Sequence, residues 1–327
     1  MRTSFSTRTL GMAGLLLAAA GAFAQPAPNF DQMEVHVLPV QGNVSMLVGV
    51  GGNIAVQVGK DGVLLVDTGY AQTADKVYAA IRKITDKPIR YIIDTHVHPD
   101  HTGGNEKLAK LGSTITGGNV VGDIGQSAGQ GAAVIAHENV LARMSAASPG
   151  QPAIPFDALP TDTFAGAIKN LYFNEEAVRI LHVAAAHTDG DSMVYFRRSD
   201  VLATGDLFTP GNYPIIDLAR GGNVQGIIAA LNQIIGLSVP AEKQEGGTYI
   251  IPGHGRLCDQ ADVVEYRDML TIIRDRVQAS LQKGMTLEQV KASKPTFDYD
   301  PLYGASTGFW TTDQFVEAVY KSLSLKK

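Results

Sequence analysis

Three scarcities in the sequence narrow the class of protein. Cys258 is the only cysteine, so no intrachain disulfide can form. Basic residues do not dominate, because 27 Lys and Arg face 32 Asp and Glu and the net charge is −5. This balance gives no electrostatic reason to expect a nucleic-acid partner. Long apolar runs are also missing beyond the N-terminus, so we expect no later segment to span a bilayer.

The N-terminus has the pattern of a secretory signal peptide. Arg2 and Arg8 precede a short apolar run, and Ala22-Phe23-Ala24 is a small-x-small cleavage site. We expect residues 1–24 to be removed and the mature protein to be periplasmic or secreted, without a stable membrane anchor. An uncleaved N-terminal anchor is the alternative. Loss of the two arginines leaves 25 basic residues against 32 acidic ones, a net charge of −7.

Potential metal ligands are concentrated after one apolar strand, predicted at residues 89–94. The stretch His96-Val97-His98-Pro99-Asp100-His101 places three imidazoles and a carboxylate within six residues. His96 and His98 point the same way in extended backbone. Imidazole nitrogen and carboxylate oxygen are ligands that zinc accepts. The pattern predicts a metal site, and a polar loop of hydrogen-bonded histidines is the competing interpretation.

Three further predicted strands end in a loop that presents a histidine or an aspartate. These residues are His187, Asp206 and His254. If the strands share a direction, their ends collect at one edge of a layered fold. Seven ligands divide into two sets of three and one bridge, which is the number that a pair of metal ions requires.

The order His-x-His-x-Asp-His, then His, Gly-Asp and Pro-Gly-His-Gly, resembles the metallo-β-lactamase-fold hydrolase superfamily. The resemblance covers nearly the whole mature chain. It implies an α+β fold, an αββα sandwich of two mixed sheets packed face to face with helices outside. We expect the hydrolase domain at residues 25–283 and a C-terminal helical extension, packed on the same domain, at 284–327.

The resemblance also implies a role for each ligand. His96, His98 and His187 would hold a first zinc ion, Asp100, His101 and His254 a second, and Asp206 would bridge them. Asp67, in Leu-Leu-Val-Asp-Thr-Gly, matches an aspartate that orients the metal loop; a turn-forming aspartate is the alternative. We expect two Zn²⁺ per chain, with iron as the alternative metal.

Asp206 bears on the substrate, because dedicated β-lactamases of this family usually carry Cys or Ser at that position. We expect an exported binuclear zinc hydrolase that uses a metal-bridging hydroxide to cleave a small ester, thioester, lactone or amide. Asp100 would move the proton. β-Lactam hydrolysis is the alternative substrate class, and a mononuclear iron oxidoreductase acting on a thiol or persulfide is the alternative of another class. A metal carrier without chemistry is a third.

Other polar residues are given lesser roles. Arg220 and Asn223 are candidates for binding the small-molecule substrate, although Arg220 fits a surface salt bridge equally well. Asp191 is expected to brace the loop after His187, and Cys258 to be a buried thiol. The proline-rich residues 148–163 are predicted to be an irregular connection, either a lid or plain surface. The C-terminal aromatic residues either line the pocket or anchor the tail.

Overall fold

The computed structural model of the chain describes residues 29–114, 131–146, 153–243 and 246–324. The predicted signal peptide therefore lies outside the described residues. The α+β sandwich that the resemblance implied is confirmed, with two mixed sheets face to face and helices on both outer faces. The strands are β1 His36–Gln41, β2 Val44–Val48, β3 Ile54–Gly59, β4 Gly62–Val66, β5 Ile89–Ile93, β6 Ala133–His137, β7 Asp162–Phe164, β8 Ile168–Phe173, β9 Glu176–His182, β10 Ser192–Phe196, β11 Val201–Ala203 and β12 Tyr249–Ile251. The α-helices are α1 Ala74–Ile84, α2 Pro99–Thr102, α3 Asn105–Lys110, α4 Glu138–Ser145, α5 Val224–Leu237, α6 Gln260–Gln282, α7 Leu287–Ala292, α8 Asp300–Tyr303 and α9 Thr312–Ser324.

The first sheet has the order β1-β2-β3-β4-β5-β6-β7. Its first four strands form an antiparallel meander, and β4 to β7 pair in parallel. Parallel strands are covered on both faces, so β4 is entirely buried. Because β4 and β5 run the same way, Asp67 and the histidine stretch leave the sheet at the same edge.

The second sheet has the order β12-β11-β10-β9-β8. β11 and β12 are parallel, whereas β10 is antiparallel to both β9 and β11. The chain therefore leaves β9, β11 and β12 in one direction, and His187, Asp206 and His254 follow these three strands. The predicted meeting of strand ends is thus a consequence of the topology.

Apolar side chains fill three layers. Met46, Leu64, Ile93 and other residues between the sheets form the central layer. A second layer joins the outer face of the first sheet to α1 and α3. The third joins the second sheet to α5, α6 and the C-terminal helices, and it includes Val290 and Phe315. Residues 284–324 therefore share a core with the rest of the chain.

One prediction of irregular structure was wrong. Asp162 and Thr163, assigned to the connection 148–163, lie in β7, which pairs in parallel with β6. β8 was also not predicted, because it is a half-exposed edge strand with a weak apolar pattern.

Within the described ranges, no helix has the length and apolar character required to cross a membrane.

Candidate metal centre

The seven predicted ligands lie at one edge of the sandwich as two clusters. The first cluster contains His96, His98, His187 and Asp206, and the second contains Asp100, His101 and His254. In each cluster the ligating atoms all lie within 4.8 Å of one another. The residues come from four separate segments of the chain, each following a strand, so the fold rather than local sequence brings them together.

Asp206 faces both clusters with different oxygen atoms. Its Oδ2 lies 3.6 Å from His187 Nε2 and 4.0 Å from His96 Nε2. Its Oδ1 lies 3.2 Å from His101 Nε2 and 3.5 Å from His254 Nε2. Burial alone would raise the pKa of Asp206, but the neighbouring histidines His101 and His254 hold it well below the usual range. This carboxylate has the geometry of a bridging ligand.

The hydrogen bonds of the imidazole rings show that the donor set fits a cation. His187 Nδ1 donates to the carbonyl oxygen of Ile215 at 2.8 Å, which leaves a lone pair on Nε2. His98 Nε2 lies 2.9 Å from Asp217 Oδ2, which leaves a lone pair on Nδ1. The two nitrogen atoms that carry these lone pairs are only 2.9 Å apart. Such an arrangement is repulsive unless a cation, either a proton or a metal ion, lies between the two nitrogens, and metal ligation provides one.

Asp67 supports both clusters from behind. Its Oδ2 accepts hydrogen bonds from His101 Nδ1 and Thr95 Oγ1, each at 2.8 Å. The Thr95 hydroxyl in turn lies 3.0 Å from His96 Nδ1. Asp67 is 1 % exposed and adopts φ 66°, a left-handed conformation that aspartate tolerates better than most residues. Its contacts are those expected of an aspartate that orients the metal loop.

Close backbone approach explains two glycines near the ligands. Gly205 adopts φ 51°, and a Cβ there would lie 2.6 Å from Thr95 Oγ1. Gly52 lies flat against the His101 ring, where a Cβ would overlap the imidazole. Larger residues at either position would displace a ligand or its support.

Burial shifts the pKa values of groups in and around the two clusters. It lowers the pKa of His187 to about 4, so the ring is neutral and available as a ligand at pH 7. It raises the pKa of Asp191 to about 8. Asp191 accepts hydrogen bonds from the backbone and hydroxyl of Thr188, which is the bracing role predicted for it. Cys258 is buried, as predicted, and burial raises the pKa of its thiol to about 12.

A cavity of about 1190 Å³ opens over the predicted metal ligands. His98, Asp100, Asp206 and His254 form its floor. Its apolar and aromatic wall contains Tyr213, Ile215, Ile216, Leu218, Tyr303, Phe309 and Trp310. The C-terminal aromatic residues thus line the pocket in part. Of residues 148–163, the described part (153–163) contributes nothing to this wall, and 148–152 lie outside the described residues.

The two predicted substrate-binding residues lie in different environments. Arg220 lines the cavity, is 44 % exposed and pairs with Asp217 at 2.7 Å, so both interpretations of it stay open. Asn223 is the N-cap of helix α5, where its side chain accepts a hydrogen bond from the Gln225 backbone. Its role in substrate binding stays a prediction.

The sequence analysis missed Asp217. Burial alone would raise the pKa of Asp217, but its hydrogen bonds with His98 and Arg220 hold it well below the usual range. The residue lies 119 positions from His98 in sequence, in a loop without a ligand motif. Its only local signal is an N-cap pattern ahead of Arg220.

Comparisons with known proteins agree with this architecture. Residues 47–254 match the family model of the metallo-beta-lactamase superfamily. A linear primary-alkylsulfatase from Pseudomonas sp. (strain ATCC 19151) is 26% identical in an alignment 298 residues long that covers 80% of this chain and 53% of that protein. The chain thus spans about half the length of this curated relative.

Solved structures support the fold alone. The inverting sec-alkylsulfatase Pisa1 from Pseudomonas sp. has a TM-score of 0.61 at 17% identity, covering 88% of this chain and 50% of that one. A metallo-beta-lactamase from Pontibacter korlensis has a TM-score of 0.53 at 17% identity, covering 73% of this chain and 99% of that one. With the family match extending from β2 to His254, the chain belongs to the metallo-beta-lactamase superfamily of metal-dependent hydrolases.

Proposed function

We propose that this chain is a binuclear zinc hydrolase that cleaves a small ester, and that alkyl sulfate esters are its first candidate substrates. The observation that carries the proposal is the cavity, which combines the metal ligands on its floor with an apolar and aromatic wall. The alkylsulfatase relative supports the sulfate ester among the ester classes. An amphiphilic ester matches both surfaces of the cavity.

The wall would bind the apolar part of the substrate. Tyr303, Phe309 and Trp310 lie along the cavity, and Phe309 is 67 % exposed. Aromatic side chains bury a large apolar area, and only a few side-chain torsions have to be ordered when they do so. Arg220, on the same cavity, would bind the anionic part, because a guanidinium pairs with two oxygen atoms of a sulfate or carboxylate.

Asp100 would move the proton. It lies on the cavity floor, where its Oδ2 is 3.2 Å from His254 Nε2. Burial alone would raise the pKa of Asp100, but hydrogen bonding to His254 lowers it, so the carboxylate is ionised at pH 7 and can accept a proton. His96, His98 and His187 would hold one metal ion, and Asp100, His101 and His254 the other. When bound, two such ions supply an activated water molecule and polarise the scissile bond.

The test is a substrate panel on zinc-loaded mature protein. Octyl sulfate is assayed by the release of inorganic sulfate, beside an acyl thioester, a lactone and a chromogenic cephalosporin. We expect octyl sulfate to be hydrolysed, with the Asp100→Asn variant and the chelated protein as inactive controls. Turnover of the cephalosporin alone would favour the β-lactamase alternative. No turnover of any substrate, with two zinc ions bound, would contradict the hydrolase.

Metal analysis separates this proposal from the oxidoreductase alternative. We expect two zinc ions per chain, whereas one iron ion and consumption of oxygen with a persulfide would overturn the hydrolase.

We also propose that the protein is exported, on the strength of the leader pattern in residues 1–24. Intact mass of the protein recovered from the periplasm or the medium tests this, and a chain that still begins at Met1 would contradict cleavage.

A further inference from the structure

In each metal cluster, one histidine forms a hydrogen bond to a carboxylate through its outer nitrogen, the ring nitrogen that faces away from the cluster. In the second cluster that pair is His101 with Asp67, at 2.8 Å. In the first cluster it is His98 with Asp217, at 2.9 Å. The sequence analysis anticipated only Asp67.

We propose that Asp217 is a positioning residue for the first metal, and that the segment Ile215–Asp217 holds two of the three histidines of that cluster in their ligating orientation. The inference rests on the metal centre of the proposed function. It assigns the segment no contact with the reacting atoms.

The first step concerns His98. Its side chain is 18 % exposed and forms part of the cavity floor, so the surrounding core does not enclose the ring. The hydrogen bond to Asp217 Oδ2 fixes the proton on Nε2 and turns Nδ1 toward His96 and His187. Without that bond the imidazole would be free to adopt the other tautomer or rotate into the cavity. A hydrogen bond on the outer nitrogen commonly sets the orientation of a ligand histidine.

The second step concerns His187. The same segment contacts this residue twice, since the Ile215 carbonyl accepts from His187 Nδ1 at 2.8 Å and the Asp217 backbone N–H donates to the His187 carbonyl at 3.0 Å. Both bonds involve main-chain atoms of the segment. The position of residues 215–217 therefore determines the position of the His187 ring.

The third step concerns the rigidity of the segment itself. Ile216 is 2 % exposed and packs in the outer apolar layer of the second sheet. Asp217 Oδ1 accepts from the Arg220 backbone N–H at 3.1 Å, and Oδ2 accepts from the Arg220 side chain at 2.7 Å. Gly221 ends this turn at φ 83°, where a Cβ would contact Asp189. A segment fixed by the buried Ile216 and by the turn that follows Asp217 is suited to position ligands.

The test measures metal affinity rather than turnover. Metal-free wild type, Asp217→Ala, Asp217→Asn and Asp300→Ala are titrated with Zn²⁺ in competition with a chromophoric chelator. Asp300 is the matched control, because it is another carboxylate near this cavity that accepts a side-chain hydrogen bond, from Tyr213 at 2.9 Å, but it contacts no predicted metal ligand. The visible spectrum of the Co²⁺-loaded proteins reports the coordination geometry.

We expect Asp217→Ala to weaken one of the two binding steps by about 10–100-fold and to alter the cobalt spectrum. Asp217→Asn keeps one oxygen and should lose less, while Asp300→Ala should bind as the wild type does. If the alanine variant fails to fold, the asparagine variant decides the matter. Unchanged affinity and an unchanged spectrum in the Asp217 variants, with two metals bound by the wild type, would overturn this inference alone. A wild type that binds no metal would overturn the proposed function and this inference together.

Discussion

The two metal clusters use similar ligands but differ in exposure. In the first, His96 and His187 are 1 % and 0 % exposed, and the outer nitrogen of each of its three histidines has a hydrogen-bond partner. In the second, the side chains of Asp100 and His254 are 20 % and 37 % exposed and lie on the cavity floor. His98 and Asp206 of the first cluster also line the cavity, so the difference is one of degree: the first cluster is the more fully buried and braced, and the second is the more open to the cavity. This difference predicts tighter metal binding in the first cluster and proton transfer in the second.

The largest expected effect comes from removing a histidine of either cluster. His187→Ala and His254→Ala should each lower turnover by about 10³-fold or more, because bound metals supply several kcal/mol of transition-state stabilisation. The two variants should differ in the metal that they retain. His254→Ala should keep the metal of the first cluster, whereas His187→Ala should lose it. Metal analysis after desalting checks this, and equal loss in the two variants would break the comparison.

Asp100→Asn should come next. We expect turnover to fall by about 10²–10⁴-fold, the usual contribution of a positioned acid or base, with little change in thermal stability. Steady-state kinetics together with circular dichroism measure both quantities. Near-normal activity in a variant that carries its full metal load would remove Asp100 from the mechanism.

Asp67 should matter for stability as well as for the metals, because it supports both clusters. Asp67→Ala would leave Thr95 and His101 without their acceptor and place alanine at φ 66°. We expect the free energy of unfolding to fall by about 2–4 kcal/mol. Asp67→Asn tolerates the same backbone conformation and should fall less. Urea denaturation of the metal-free proteins provides the measurement, and equal losses would exclude the backbone contribution.

The smallest effect is expected for Arg220. Arg220→Gln should raise KM for an anionic substrate about tenfold, equivalent to about 1.4 kcal/mol, and leave KM for an uncharged lactone unchanged. The bond between His98 and Asp217 remains in this variant, so metal affinity should change less than in Asp217→Ala. A rise in KM for both substrates would show that Arg220 acts by supporting the loop.

The candidate ligands could be predicted from the sequence, because each follows an apolar strand, where pattern and chemistry coincide. His96, His187 and Asp206 are examples, and the parallel pairing of β4 with β5 and of β11 with β12 brings such ends together. Asp217 could not be found in this way. It follows no strand, and its partner His98 is distant in sequence, so only the folded chain relates them. β8 was missed for a related reason, since an edge strand that is half exposed carries little apolar periodicity.

The central claim is that the chain holds two metals in sites of unequal exposure, and stepwise chelation tests it most directly. Zinc-loaded protein is titrated with a chelator while metal content and hydrolysis are followed together. We predict two zinc ions per chain at the start, and we expect turnover to be lost when the first of them is removed. We also predict that His254→Ala holds a single zinc ion, the one that is released more slowly from the wild type. A wild type that holds one metal ion, or two that leave together at the same rate, would contradict the account.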